Sequence, residues 1–85
     1  MNEMQLHNEL KTLVAEIIEI DDFNDNDNFV TQLGVDSMLA LEIVARIEKR
    51  YRIRIPEERF AQMKTLNAVV QIVAEIVPSV VSEQL

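Results

Sequence analysis

Aliphatic residues return every three or four positions over the first twenty residues. Leu6, Leu10, Leu13, Val14, Ile17 and Ile18 share one face at about 100° per residue, and Glu9, Lys11, Glu16 and Glu19 fill the other. This spacing predicts an amphipathic helix over 4–19. The periodicity then stops. From Asp21 to Asn28 the chain is mostly Asp and Asn, whose side chains compete for backbone hydrogen bonds and favour turns. Phe23, Phe29, Val30, Leu33 and Val35 interrupt the polar stretch, so residues 20–36 are expected to form a long loop that packs onto the core. Loops of this length in small domains are commonly functional.

Helical spacing resumes over 37–51. Asp36 suits the N-cap, where its carboxylate also meets the positive end of the helix dipole, and Lys49 and Arg50 suit the other end. Ile53, Arg54 and Ile55 precede Pro56, which disfavours helix before it and fits the first turn of a new one. A short helix or single turn is predicted at 57–61. Thr65 can cap a last helix carrying Leu66, Val69, Val70, Val73, Ile76 and Val77, closed by Pro78. The domain is thus read as 1–78, with 79–85 a fraying tail. One Gly and two Pro supply little turn chemistry, against a fold of many short strands. The expected fold is all-α, a small bundle of three longer helices and one short one.

The second helix has two apolar stripes. Ala40, Ile43, Val44, Ile47 and Tyr51 fall on one side; Met38, Leu41 and Ala45 fall nearly opposite, with Glu42 and Lys49 beside them. A domain of 85 residues has a thin core and cannot readily bury both. The second stripe is therefore read as an exposed docking patch, the alternative being a central helix buried all round.

Charge narrows the partners. The net charge is −7, with nine acids and one base in residues 1–36 but four acids and seven bases in residues 37–64. An acidic chain is a poor nucleic-acid ligand, since phosphate contacts need outward-facing Lys and Arg clusters. There is no cysteine, and no apolar run of membrane-spanning length. Asp22-Phe23-Asn24-Asp25-Asn26-Asp27 looks like the start of a calcium loop, but Asp27 stands where the obligatory Gly belongs and Leu33 where the bidentate Glu belongs. The four scattered methionines do not suggest a soft-metal site, so no metal is assigned.

The segment opening the second helix, Leu33-Gly34-Val35-Asp36-Ser37-Met38, closely resembles the Gly-x-Asp-Ser-Leu/Met signature of acyl carrier proteins. Nearly the whole chain follows the same order: amphipathic helix, acidic loop, signature, Ile-Pro-Glu-Glu turn, final amphipathic helix. The resemblance implies that Ser37 carries a covalent 4'-phosphopantetheine from coenzyme A, and that Asp36 contacts the modifying transferase or its metal. It also implies a sheltering cleft near Val30, Ile47, Ile55, Phe60 and Ala61, and docking through Met38, Leu41, Glu42, Ala45 and Glu48. Implied partners are a phosphopantetheinyl transferase, ketosynthases, and acyltransferase or acyl-ligase enzymes, met by a monomeric cytoplasmic shuttle of fatty-acid or polyketide biosynthesis.

Residue chemistry agrees with a carrier. A serine hydroxyl needs a base to act as a nucleophile, and the one histidine, His7, lies far off in the first helix, so a serine hydrolase fails. A phosphodiester on Ser37 would sit at a helix N-terminus, where amide donors and the dipole favour negative charge. One departure stands out. Fatty-acid carriers of this family have a strongly acidic second helix, whereas here Leu39 replaces a common acid and Arg46, Lys49, Arg50, Arg52 and Arg54 follow. Either the partners differ from those of a general fatty-acid carrier, or these charges are merely solvated. A peptidyl carrier and an unmodified helical adaptor of the same fold remain alternatives.

Overall fold

The computed structural model describes residues 2–77. Among them α1 spans Glu3–Ile18, α2 spans Ser37–Tyr51, a 3-10 helix spans Glu57–Gln62, and α3 spans Leu66–Ile76. The all-α bundle expected from the periodicity is the fold observed. Helix α1 begins one residue before its expected start because Asn2 and Gln5 form a reciprocal capping box. Asn2 Oδ1 accepts from the Gln5 N–H at 2.8 Å, and the Asn2 N–H donates to Gln5 Oε1 at 3.2 Å. Glu19 closes the helix in the left-handed region at φ 61°.

Leu6, Leu10, Leu13, Val14 and Ile17 of α1 are buried, and this face packs against both α2 and α3. Among the described residues α2 and α3 do not approach each other closely, while the 3-10 helix packs against α3. The long loop and the 3-10 helix therefore bridge α2 and α3, and their side chains line the gap. Arg59 fastens the 3-10 helix to α3 through Glu75 at 3.0 Å. The Glu48 carboxylate accepts the Ile55 N–H at 2.8 Å and ties the segment before Pro56 to α2.

Phe23, Phe29 and Val35 in the loop are buried and Leu33 is half-buried, so most of the loop packs as its composition suggests. Val30 does not: it is 64% exposed. The reason is local. Asn28 Oδ1 accepts from the N–H groups of Val30 and Thr31, and Gln32 and Leu33 donate to the Asn28 carbonyl, making one isolated helical turn. That turn places Phe29 inward and Val30 outward. Backbone bonds from Phe29 to the Lys64 carbonyl (2.8 Å) and from Asn67 to the Asp25 carbonyl (3.1 Å) anchor the loop to the chain around the start of α3. Thr65 caps α3 by accepting from the Ala68 N–H at 3.1 Å, and Val77 is buried just beyond its end. The closing role given to Pro78 and the tail 79–85 lie outside the described residues.

Candidate functional site

The site starts with how the chain leaves the isolated turn. Gly34 adopts φ +70°, a conformation that costs other residues a clash between Cβ and carbonyl. A Cβ built on Gly34 would meet nothing within 4 Å, so the glycine serves backbone conformation and not a close approach. Val35, 2% exposed, is then buried while its N–H donates to the Phe29 carbonyl at 2.8 Å. Asp36 caps α2: its Oδ1 accepts from the Leu39 N–H at 2.9 Å. Ser37 is the first residue of α2 and is exposed. Among the described residues the N–H groups of Ser37 and Met38 find no protein acceptor, as expected of a helix start.

The one histidine of the chain has its partners elsewhere. The His7 ring is engaged by Asn8 at 3.1 Å and by Asp25 at 2.7 Å, with Lys11 also on Asp25 at 3.3 Å. This cluster is structural, joining α1 to the loop. Partial burial disfavours the Asp25 carboxylate, but the hydrogen bonds and charges of His7 and Lys11 outweigh it and hold its pKa below the ordinary value.

Beside the start of α2 lies a cavity of about 240 Å³. Ala40, Leu41, Ile43 and Val44 of α2 form one wall, Phe29, Val30 and Val35 of the loop another, and Phe60, Ala61, Met63, Lys64 and Val69 the third. All but Lys64 are apolar. Of the five residues expected near a sheltering cleft, Val30, Phe60 and Ala61 line this cavity. Ile47 and Ile55 do not; at 0% and 3% exposure they are core residues. Conversely Ala40, assigned to the core stripe, is exposed along the cavity wall, because α3 does not close over that part of α2. Phe29, Ala40, Leu41, Met63 and Val69 are lining residues that sequence reasoning missed. The i, i+3/i+4 relation of Ala40 and Leu41 to Ser37 was the available signal.

Met38 (79% exposed), Leu41 (58%), Glu42 and Ala45 all lie on the open side of α2, opposite Ile43, Val44 and Ile47. Glu48, expected at the docking face, is half-buried, with its carboxylate turned to the Ile55 N–H. Arg46 reaches Glu42 at 3.9 Å and Arg50 reaches Glu9 at 3.6 Å. Glu9 also accepts the Tyr51 hydroxyl at 2.8 Å. Burial and then the Glu9 hydrogen bond and charge push the Tyr51 phenol up to about 12, against the opposing Arg50 charge.

Ser37 thus stands exposed at the opening of α2, close to an apolar cavity. The family model for the phosphopantetheine attachment site matches residues 8–73. An acyl carrier protein of Streptomyces coelicolor is 34% identical over 89% of this chain and 86% of its own length. Polyketide-8 synthase acyl carrier protein 2 of Streptomyces avermitilis is 37% identical over 68% of this chain and 69% of its own length. An acyl carrier protein of Brachyspira hyodysenteriae is 36% identical over 74% and 85%. The chain belongs to the acyl carrier protein family, non-enzymatic carriers bearing phosphopantetheine. Among the described residues no helix is long and apolar enough to cross a membrane.

Proposed function

We propose that Ser37 Oγ is the phosphopantetheine attachment point and that the chain shuttles acyl thioesters among cytoplasmic enzymes as a monomer. The observation that carries this reading is the placement of an exposed Ser37 at the first position of α2, behind Gly34 and the capping Asp36 and beside the apolar cavity. The two open N–H groups and the helix dipole favour the phosphodiester that attachment creates. Asp36 is fixed by its capping bond, leaving its second carboxylate oxygen for the transferase or its metal. The arm supplies the thiol on which acyl groups ride; Met38, Leu41, Glu42 and Ala45 offer a docking stripe, and the cavity shelters the acyl chain.

The pathway is fatty-acid or polyketide-type synthesis, the latter supported by likeness to a polyketide synthase carrier. The basic segment from Arg46 to Arg54 supports a specialised carrier whose enzymes differ from general fatty-acid enzymes. Intact mass after coexpression with a broad-specificity phosphopantetheinyl transferase tests the attachment. The wild type should gain one phosphopantetheinyl mass and Ser37→Ala none; modification of the Ala variant would overturn the assignment.

A further inference from the structure

The open face of α2 does not end as it begins. At about 100° per residue, Met38, Leu41, Ala45, Lys49 and Arg52 fall within one sector of roughly 80°. All five are exposed. The Ser37 end of the stripe is apolar and the far end cationic, about 20 Å away at the helical rise of ~1.5 Å per residue. Arg46 and Arg50, on the flank nearer α1, are occupied by Glu42 and Glu9. Among the described residues no carboxylate pairs with Lys49, Arg52 or Arg54.

Arg52 is also a costly choice for the backbone. It ends α2 at φ 55°, the left-handed position where glycine is strongly favoured, and its N–H donates to the Glu48 carbonyl as any residue's could. Its guanidinium makes no hydrogen bond among the described residues to offset the strain. A cation therefore stands where the fold itself would favour glycine, in line with an apolar stripe that begins beside Ser37.

We propose that Lys49 and Arg52, with Arg54 next along the chain, form the charged half of a docking surface for a partner protein bearing an acidic patch, about 20 Å along α2 from Ser37. This rests on the reading of Ser37 as the attachment point. Charge complementarity selects the occupant. Residues 1–36 carry nine acids and one base. A long polyanion or an anionic bilayer spreading over the molecule would meet those acids, whereas a compact acidic patch can seat on the far end of the stripe, where Lys49 and Arg52 are exposed and the exposed acid of the same side, Glu42, lies close to Arg46. Repulsion from the acidic half then fixes the partner's orientation as well as its choice. Met38 and Leu41 supply apolar contact at the other end.

The test uses the full holo chain, isotope-labelled for amide NMR. The probes are a synthetic amphipathic helical peptide with leucines on one face and glutamates at one end, its lysine counterpart, a single-stranded DNA oligonucleotide, and phosphatidylglycerol vesicles. The glutamate peptide should move the amide signals of residues 45–54 and bind about tenfold more tightly than the lysine peptide at low salt, with the gap closing as salt rises. The Lys49→Glu, Arg52→Glu double variant should lose that preference. Arg52→Gly separates docking from folding, because it relieves the positive φ while removing the charge. Its thermal midpoint should hold or rise while affinity for the glutamate peptide falls about threefold. Equal binding of the two peptides, signals moving elsewhere, an unchanged Arg52→Gly affinity, or tighter binding of DNA or vesicles would each overturn the proposal. Intact mass of the same samples reads Ser37 modification independently, so failure of one reading is distinguishable from failure of the other.

Discussion

Backbone conformation at a single position sets how the chain enters α2 at Ser37. Gly34, Glu19 and Arg52 all have positive φ, yet only Gly34 does so without a Cβ. Gly34 sits between the isolated turn and the capping Asp36, so its conformation aims Ser37 outward. Gly34→Ala meets no steric obstacle beyond its own backbone, and the substitution should cost about 1–2 kcal/mol in chemical denaturation. A cost near zero would mean the turn re-forms by another route. Tyr51 gives a pH signature of similar locality. Its phenol is pushed up to about 12 in the fold from an ordinary 10.0, so the neutral form is favoured by folding. That contribution is complete below pH 10 and is lost as pH climbs toward 12, because the unfolded chain ionises first. Thermal midpoints should therefore fall across that alkaline window in wild type and fall less in Tyr51→Phe. Equal alkaline slopes in the two proteins would count against a raised Tyr51 pKa in the fold.

At the scale of elements, α2 must serve the core and the surface at once, and its two sides should respond differently to the same truncation. Ile47 is fully buried, so Ile47→Ala should cost about 2–5 kcal/mol through lost burial and an unfilled void. Leu41 is 58% exposed, so Leu41→Ala should cost less than about 1 kcal/mol while slowing acyl transfer to partner enzymes. Equal destabilisation by both would remove the docking stripe. The helices were legible because their signal is periodic: heptad-like returns of Leu, Ile and Val located α1, α2 and α3 to within a residue or two. Which side of α2 touches what was less legible. Ala40 shares a sector with Ile43 and Ile47, yet it borders a cavity, because angular position does not reveal that α3 stands away from α2. Val30 misled for a similar reason. Its hydrophobicity argued for burial, while the Asn28-capped turn that points it outward rests on side-chain hydrogen bonds with no periodic trace.

At the scale of the whole molecule, the gap between α2 and α3 is the feature that no single element contains. Helix α1 holds both partners, and the loop and 3-10 helix span the opening without filling it, leaving about 240 Å³ walled by apolar side chains. An apolar chain entering this space would leave water, at roughly 25 cal/mol for each Å² of apolar surface removed. A ligand that binds only the folded state raises its stability, so loading the holo protein with a medium-length acyl group should raise the thermal midpoint above that of the unloaded holo form. Ala40→Leu supplies the control. Ala40 is an exposed position on the cavity wall, and leucine is nearly as good a helix former as alanine, so the unloaded variant should fold as well as wild type. Its longer side chain would occupy part of the space, and the rise on acyl loading should shrink markedly. A rise of the same size in both proteins would place the acyl chain outside the cavity, against the surface or in solvent. No rise in either would mean that the void is not opened to the chain at all, and that the carrier presents its cargo unsheltered.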